Sequence, residues 1–114
     1  MNTAYAKKMQ RVFEANGVSS DWVDLQNELD HKIDLLRIPN GDRSPDEFDE
    51  GEFIINMSCG NTTVLVHGGF EVEEETRHDV PEDYVQLIRN PYYLEAIEFI
   101  NENSKNVVDF EYIN

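Results

Sequence analysis

Hydrophobic positions along this chain follow a helical period at first and an alternating one later. Tyr5, Met9, Val12 and Phe13 recur at i, i+4, i+7 and i+8, the stripe of an amphipathic helix. Thr3 can cap its start, and Gly17 can end it in a left-handed conformation. Val18, Trp22, Leu25, Leu29, Ile33 and Leu36 form a second stripe with spacings of 4, 3, 4, 4 and 3. Ser20 precedes it, and Asp21 and Asp24 suit the positive end of the helix dipole. One helix to about Arg37 is expected, with Pro39 as a stop. Residues 31–38 also read as a strand carrying Ile33 and Leu35 on one face.

Residues 39–51, PNGDRSPDEFDEG, hold two prolines, two glycines and five acids around Phe48, the composition of a long loop. Alternation follows. EFIINMS places Phe53, Ile55 and Met57 on one face, CGN is turn-like, and TTVLVH sets Val64 and Val66 against Thr63, Leu65 and His67. Gly68-Gly69 marks a turn or bulge. FEVEEE then starts a strand with Phe70 and Val72 inward and Glu71, Glu73 and Glu75 outward. Three short strands with tight connections predict an antiparallel meander.

Helical spacing returns after that. Asp79 can cap a helix through Tyr84, Leu87 and Ile88. Asn90-Pro91 breaks it and recaps another, with Tyr93, Ala96, Ile97 and Ile100 as its stripe. Val108, Phe110 and Tyr112 alternate as a last strand. The expectation is therefore a single α+β domain over residues 1–114. An antiparallel sheet of three to four strands packs against about four helices, in the order α-α-β-β-β-α-α-β.

Composition supports a folded core. The 114 residues are 39% hydrophobic, with 11% aromatics, too much for a disordered acidic tail despite a formal net charge of −15. The one cysteine, Cys59, excludes an internal disulfide framework and suits a reducing compartment. The first twenty residues lack the apolar core of a signal peptide, and no stretch approaches the roughly 18–20 apolar residues of a membrane span. A cytoplasmic location is expected. Nucleic acid and anionic membranes would repel the chain, whereas basic proteins would be steered toward it.

Enzymatic signals are weak. Cys59, His31, His67 and His78 show no zinc-type spacing, and no third residue marks a Cys–His pair. A calcium loop starting at Asp42 fails, because Glu47 stands where glycine belongs and Phe53 where the last glutamate belongs. The acids are clustered in polar stretches, so no pair suggests glycoside hydrolysis. Phosphate-cradling glycine motifs are missing. The expectation is a non-enzyme with no catalytic residues, metal or cofactor.

Charge placement is the remaining signal. Residues 42–83 contain thirteen acids: Asp42, Asp46, Glu47, Asp49, Glu50, Glu52, Glu71, Glu73, Glu74, Glu75, Asp79, Glu82 and Asp83. The bases there are Arg43 and Arg77, giving −11 in 42 residues against −4 in the other 72. Solubility needs less imbalance than this. Alternate strand residues lie about 6.6 Å apart, so Glu71, Glu73 and Glu75 would form a row of anions on a spacing near that of nucleic-acid phosphates. These thirteen acids are the candidate partner-binding residues, with Phe48 or Tyr84 as apolar anchors. The expected function is inhibition: an acidic surface offered to the Arg/Lys-rich cleft of a nuclease or other nucleic-acid-binding protein. The alternative is a protein–protein adaptor or regulatory subunit, dimeric through a sheet edge, whose acids only solvate it.

Overall fold

A computed structural model describes residues 2–39, 51–77 and 84–113. Helix α1 spans Thr3–Ala15 and α2 spans Trp22–Leu35. The cap of α1 is Asn2, whose Oδ1 accepts from the Tyr5 N–H at 3.1 Å. Its far end closes as a Schellman motif around Gly17, at φ +79°: Val18 N–H donates to Phe13 O and Gly17 N–H to Glu14 O. Asp21 caps α2 through the Val23 N–H. The Trp22 N–H donates to Gln10 Oε1 at 2.7 Å, fixing the start of α2 against α1.

The strands are β1 (Ile38–Pro39), β2 (Glu52–Cys59), β3 (Thr62–Arg77), β4 (Tyr84–Asn101) and β5 (Ser104–Ile113). All pair antiparallel. β2 pairs with β3 and β3 with β4, while the other edge of β4 takes β1 at Ile88–Arg89 and β5 from Tyr93 to Asn101. The turn between β2 and β3 is the two residues Gly60-Asn61, with Gly60 at φ +62°, as a type II′ hairpin requires.

Both helices lie on one face of the sheet. Met9, Phe13, Val18, Leu25 and Leu29 pack onto Phe53, Ile55, Met57, Val64, Val66, Ile97 and Phe99. Phe13 meets Phe99 edge-on at 5.3 Å, and Tyr5 meets Phe110 and Tyr112 in the same manner. β2 alternates as its sequence predicts, with Phe53, Ile55 and Met57 buried. Phe110 and Tyr112 of β5 are likewise buried.

The expected helix count is overturned. Among the described residues there are two helices and four long antiparallel strands, with the two-residue β1 added, which overturns the order α-α-β-β-β-α-α-β with about four helices. Residues 84–101, expected as parts of two helices, are one strand. Tyr93, Ala96, Ile97 and Ile100 do fit a helical stripe. In β4, however, Ile97 and Phe99 face the helices while Ala96, Glu98 and Ile100 face away. A strand paired on both edges can be apolar on both faces, which erases the alternation that distinguishes a strand from a short helix. Asn90-Pro91 interrupts the ladder and not a helix: Pro91 adjoins a bulge, where its missing N–H is tolerated.

Gly68-Gly69 is a close-packing site, not a turn, and β3 runs straight through it. The register with β4 shifts on either side of this pair, so that Tyr92 and Glu95 are the extra residues, both on β4. A methyl group on Gly68 would collide with the Phe53 ring and the Tyr93 carbonyl, and one on Gly69 with the Tyr93 ring.

Beyond Phe70 the β3/β4 ladder continues as an arm, bordered by β1 at Ile88–Arg89 and two-stranded from Glu74 and Leu87 outward. None of residues 71–77 and 84–90 whose side chains are described is buried. The molecule measures 55 × 27 × 21 Å. Sixteen residues of β3 at about 3.3 Å each account for that long axis.

Gly68→Ala is expected to cost about 3 kcal/mol, because a backbone carbonyl blocks the new methyl. Gly69→Ala should cost about 1 kcal/mol, since the half-exposed Tyr93 ring can swing aside. Urea denaturation of the two variants checks the ranking.

Candidate functional surface

Of the thirteen candidate acids, Asp42, Asp46, Glu47, Asp49, Glu50, Asp79, Glu82 and Asp83 lie outside the described residues, as does Phe48. The described ones gather at the root of the arm. Glu71 and Glu73 point opposite to Phe70 and Val72, because β3 carries no inserted residue there. Glu52 of β2 pairs with Gly69, so it lies on that same face, one step from Glu71. Glu74 is exposed on the other face. Glu75 pairs with Gln86 in the backbone register.

The cross-strand partners do not neutralise this charge. Glu71 stands opposite Asn90, Glu73 opposite Ile88 and Glu74 opposite Leu87. No basic side chain forms an ion pair with Glu52, Glu71, Glu73 or Glu74 among the described residues. Arg89, the base on the paired segment of β4, directs its guanidinium over the Phe70 ring at 5.5 Å. By contrast, Glu28 on α2 has Lys32 four residues later at 3.0 Å.

Tyr93 flanks these acids. It lies beside Gly69, and it and Tyr92 are each 37% exposed. The bulges carry a signal that sequence reasoning missed, since bulged positions re-aim side chains. Tyr92, Tyr93 and Tyr112 form a ridge between two clefts of about 300 Å³ each. One is closed by Asp30 and Asp34 of α2, the other by Glu95 and Glu111. A doubled tyrosine after a proline in the sequence was the available hint.

The face of the sheet turned away from the helices carries one buried charge. Glu98 is 7% exposed, between Leu65 of β3 and Val107 of β5. The Lys105 ammonium donates to its Oε1 at 2.6 Å, and His67 Nε2 lies 3.1 Å from its Oε2. These two hydrogen bonds, Lys105 first, hold its carboxyl below the usual carboxylate range against the opposing effect of desolvation.

His67 does not meet Cys59. Cys59 pairs with Thr62 at the far end of the hairpin and packs on the helix side of the sheet, while His67 faces the other way. Burial, then the Glu28 carboxylate, pushes the Cys59 thiol up, which keeps it protonated and a poor nucleophile. Among the described residues no three His, Cys, Asp or Glu side chains converge as metal ligands. No helix among them is long and apolar enough to cross a membrane.

No protein-family model, curated protein or solved structure matches the chain.

A depressed carboxyl pKa stabilises the fold above the unfolded value, near 4.5 for a glutamate, and that contribution is lost as pH falls through the folded value. The wild type should exceed Glu98→Gln in Tm at pH 6–7. The gap should narrow as pH drops from about 4.5 toward 3, followed by thermal circular dichroism.

Proposed function

We propose that this protein is a non-enzymatic inhibitor that presents an acidic surface to a basic, nucleic-acid-binding partner protein. The observation carrying this reading is the β3/β4 arm, whose glutamates Glu71, Glu73 and Glu74 face neutral cross-strand neighbours. Like charges left without local partners cost stability, and a partner's arginines and lysines would relieve that cost. Glu52, Glu71 and Glu73 share one face, and the adjoining Tyr93 offers an aromatic anchor of the type that concentrates binding energy. Competition is the mechanism: carboxylates occupy the groups that would otherwise hold phosphates. The acids of residues 40–50 and 78–83 belong to this reading through their place in the sequence, before β2 and after β3.

A second reading rests on a different surface. On the helix-free face Ile54 and Val107 are 57% and 54% exposed around the Glu98 network. Such a face suits an adaptor or a dimer, with the acids only solvating the arm. Concentration-dependent sedimentation abolished by Ile54→Asp would favour it.

The test of the first reading uses the immobilised chain in cell lysate at low salt. Nucleic-acid-binding proteins should be retained and should elute as salt rises, since exposed charge pairs are screened within about 8–10 Å at 0.10–0.15 M salt. The variant Glu71→Lys/Glu73→Lys/Glu75→Lys should keep its far-UV spectrum and lose that retention. Retention that ignores both salt and the charge reversal sinks the proposal.

A further inference from the structure

We infer that the cleft between α2 and the bulged centre of β4 is a socket for one guanidinium group, the anchoring arginine of the basic partner. The inference takes from the proposed function only the source of the arginine. Its volume is about 290 Å³, at the lower limit of the roughly 300–1,000 Å³ typical of ligand pockets, so it suits a side chain better than a large molecule.

Three features favour a cation there. The first is aromatic: Tyr92, Tyr112 and Phe53 line the cleft. Tyrosine faces attract cations, and the planar guanidinium also stacks on them, which an ammonium does not do. The protein already uses this chemistry internally, with Arg89 over Phe70, Lys7 over Trp22 and Lys8 over Phe110.

The second is the pair Asp30 and Asp34, one turn apart on α2 and both lining the cleft. Asp30 is already engaged within the protein, so Asp34 is the carboxylate open to a ligand. Asp34 has no ion-pair partner among the described residues. Lys32, the base in that last turn, is engaged elsewhere, by Glu28 and by the Asn56 carbonyl at 3.1 Å.

The third is the helix itself. Asp34 sits in the final turn of α2, where the dipole and the terminal carbonyls already present negative potential. An acid in that place is locally unfavourable, and a cation seated beside it satisfies carboxylate and helix end together. A carboxylate also accepts two parallel N–H bonds from a guanidinium, giving orientation as well as attraction.

The bulges explain why the socket lies here. The insertions at Tyr92 and Glu95 bracket Tyr93-Leu94, and the small pair Gly68-Gly69 lets the β4 backbone approach β3 at that level. The ring of Tyr93 itself lies over Gly69, on the face turned away from the helices.

The test is a titration of the full chain with N-acetyl-arginine methylamide, followed by the tyrosine ring resonances in two-dimensional NMR. Saturable shifts at Tyr92 and Tyr112 are expected, with weaker response to the lysine analogue. Asp30→Asn/Asp34→Asn, checked for native fold by circular dichroism, should weaken binding about tenfold. Tyr92→Ala should weaken it by a similar amount if stacking contributes. Non-saturating shifts, or equal affinity in the Asp30→Asn/Asp34→Asn variant, overturn the socket. So does loss of binding in Glu95→Gln/Glu111→Gln alone, which would place the cation across the tyrosine ridge. Glu71→Lys/Glu73→Lys should leave this titration unchanged. If that variant also leaves capture of basic proteins unchanged, the acidic-arm reading fails while the socket stands.

Discussion

The hydrogen-bond ladder of β4 is the constraint on which the rest of the structure depends. β3 occupies one edge of this strand along nearly its whole length, and β1 and β5 share the other. The core follows from that arrangement. Ile97 and Phe99 of β4 lie beside Val66 and Val64 of β3, and together they make the floor on which Met9, Phe13, Leu25 and Leu29 pack. Without β4 the hairpin of β2 and β3 would have no third strand, and a lone hairpin is marginal in water.

The same strand divides the molecule into a stabilised end and a charged end. At the end that the helices cover, two acids are matched: Glu28 with Lys32, and Glu98, on the opposite face, with Lys105. Past Phe70 the ladder leaves the helices behind, and glutamates stand opposite neutral residues. The transition falls at two bulges, where the tyrosines are exposed and a cleft opens toward α2. Charge, aromatic surface and irregular backbone therefore coincide at one level of the sheet. Structural economy alone does not call for that coincidence, which is why the binding proposals converge there.

Several elements were legible from residue order because their signals are local. The stripe of α1, the glycine that ends it and the alternation of β2 and β5 depend on neighbours within a few residues. The outward placement of Glu71 and Glu73 opposite Phe70 and Val72 was also legible, since side chains alternate along any strand. Residues 84–101 were not legible. Their apolar positions satisfy both a helical and an extended template, and burial on two faces removes the contrast between them. Asn90-Pro91 added to the error, because the same dipeptide marks a helix start or a bulge. The second cleft wall was hidden for another reason: Asp30 and Asp34 belong to a helix about sixty residues away in sequence from Tyr92 and Tyr93.

By itself the sequence determined the two helices, the hairpin at Gly60-Asn61, the alternating faces of the outer strands and the acidic bias of residues 42–83. These rest on short-range periodicity, capping chemistry and charge count. Tertiary structure decided that β4 is a strand, that Gly68-Gly69 is a packing contact and that tyrosines of β4 and β5 share a cleft with two aspartates of α2. Each of those outcomes depends on strand pairing and on side chains distant in sequence, whose free energies are fixed only when the whole sheet is assembled.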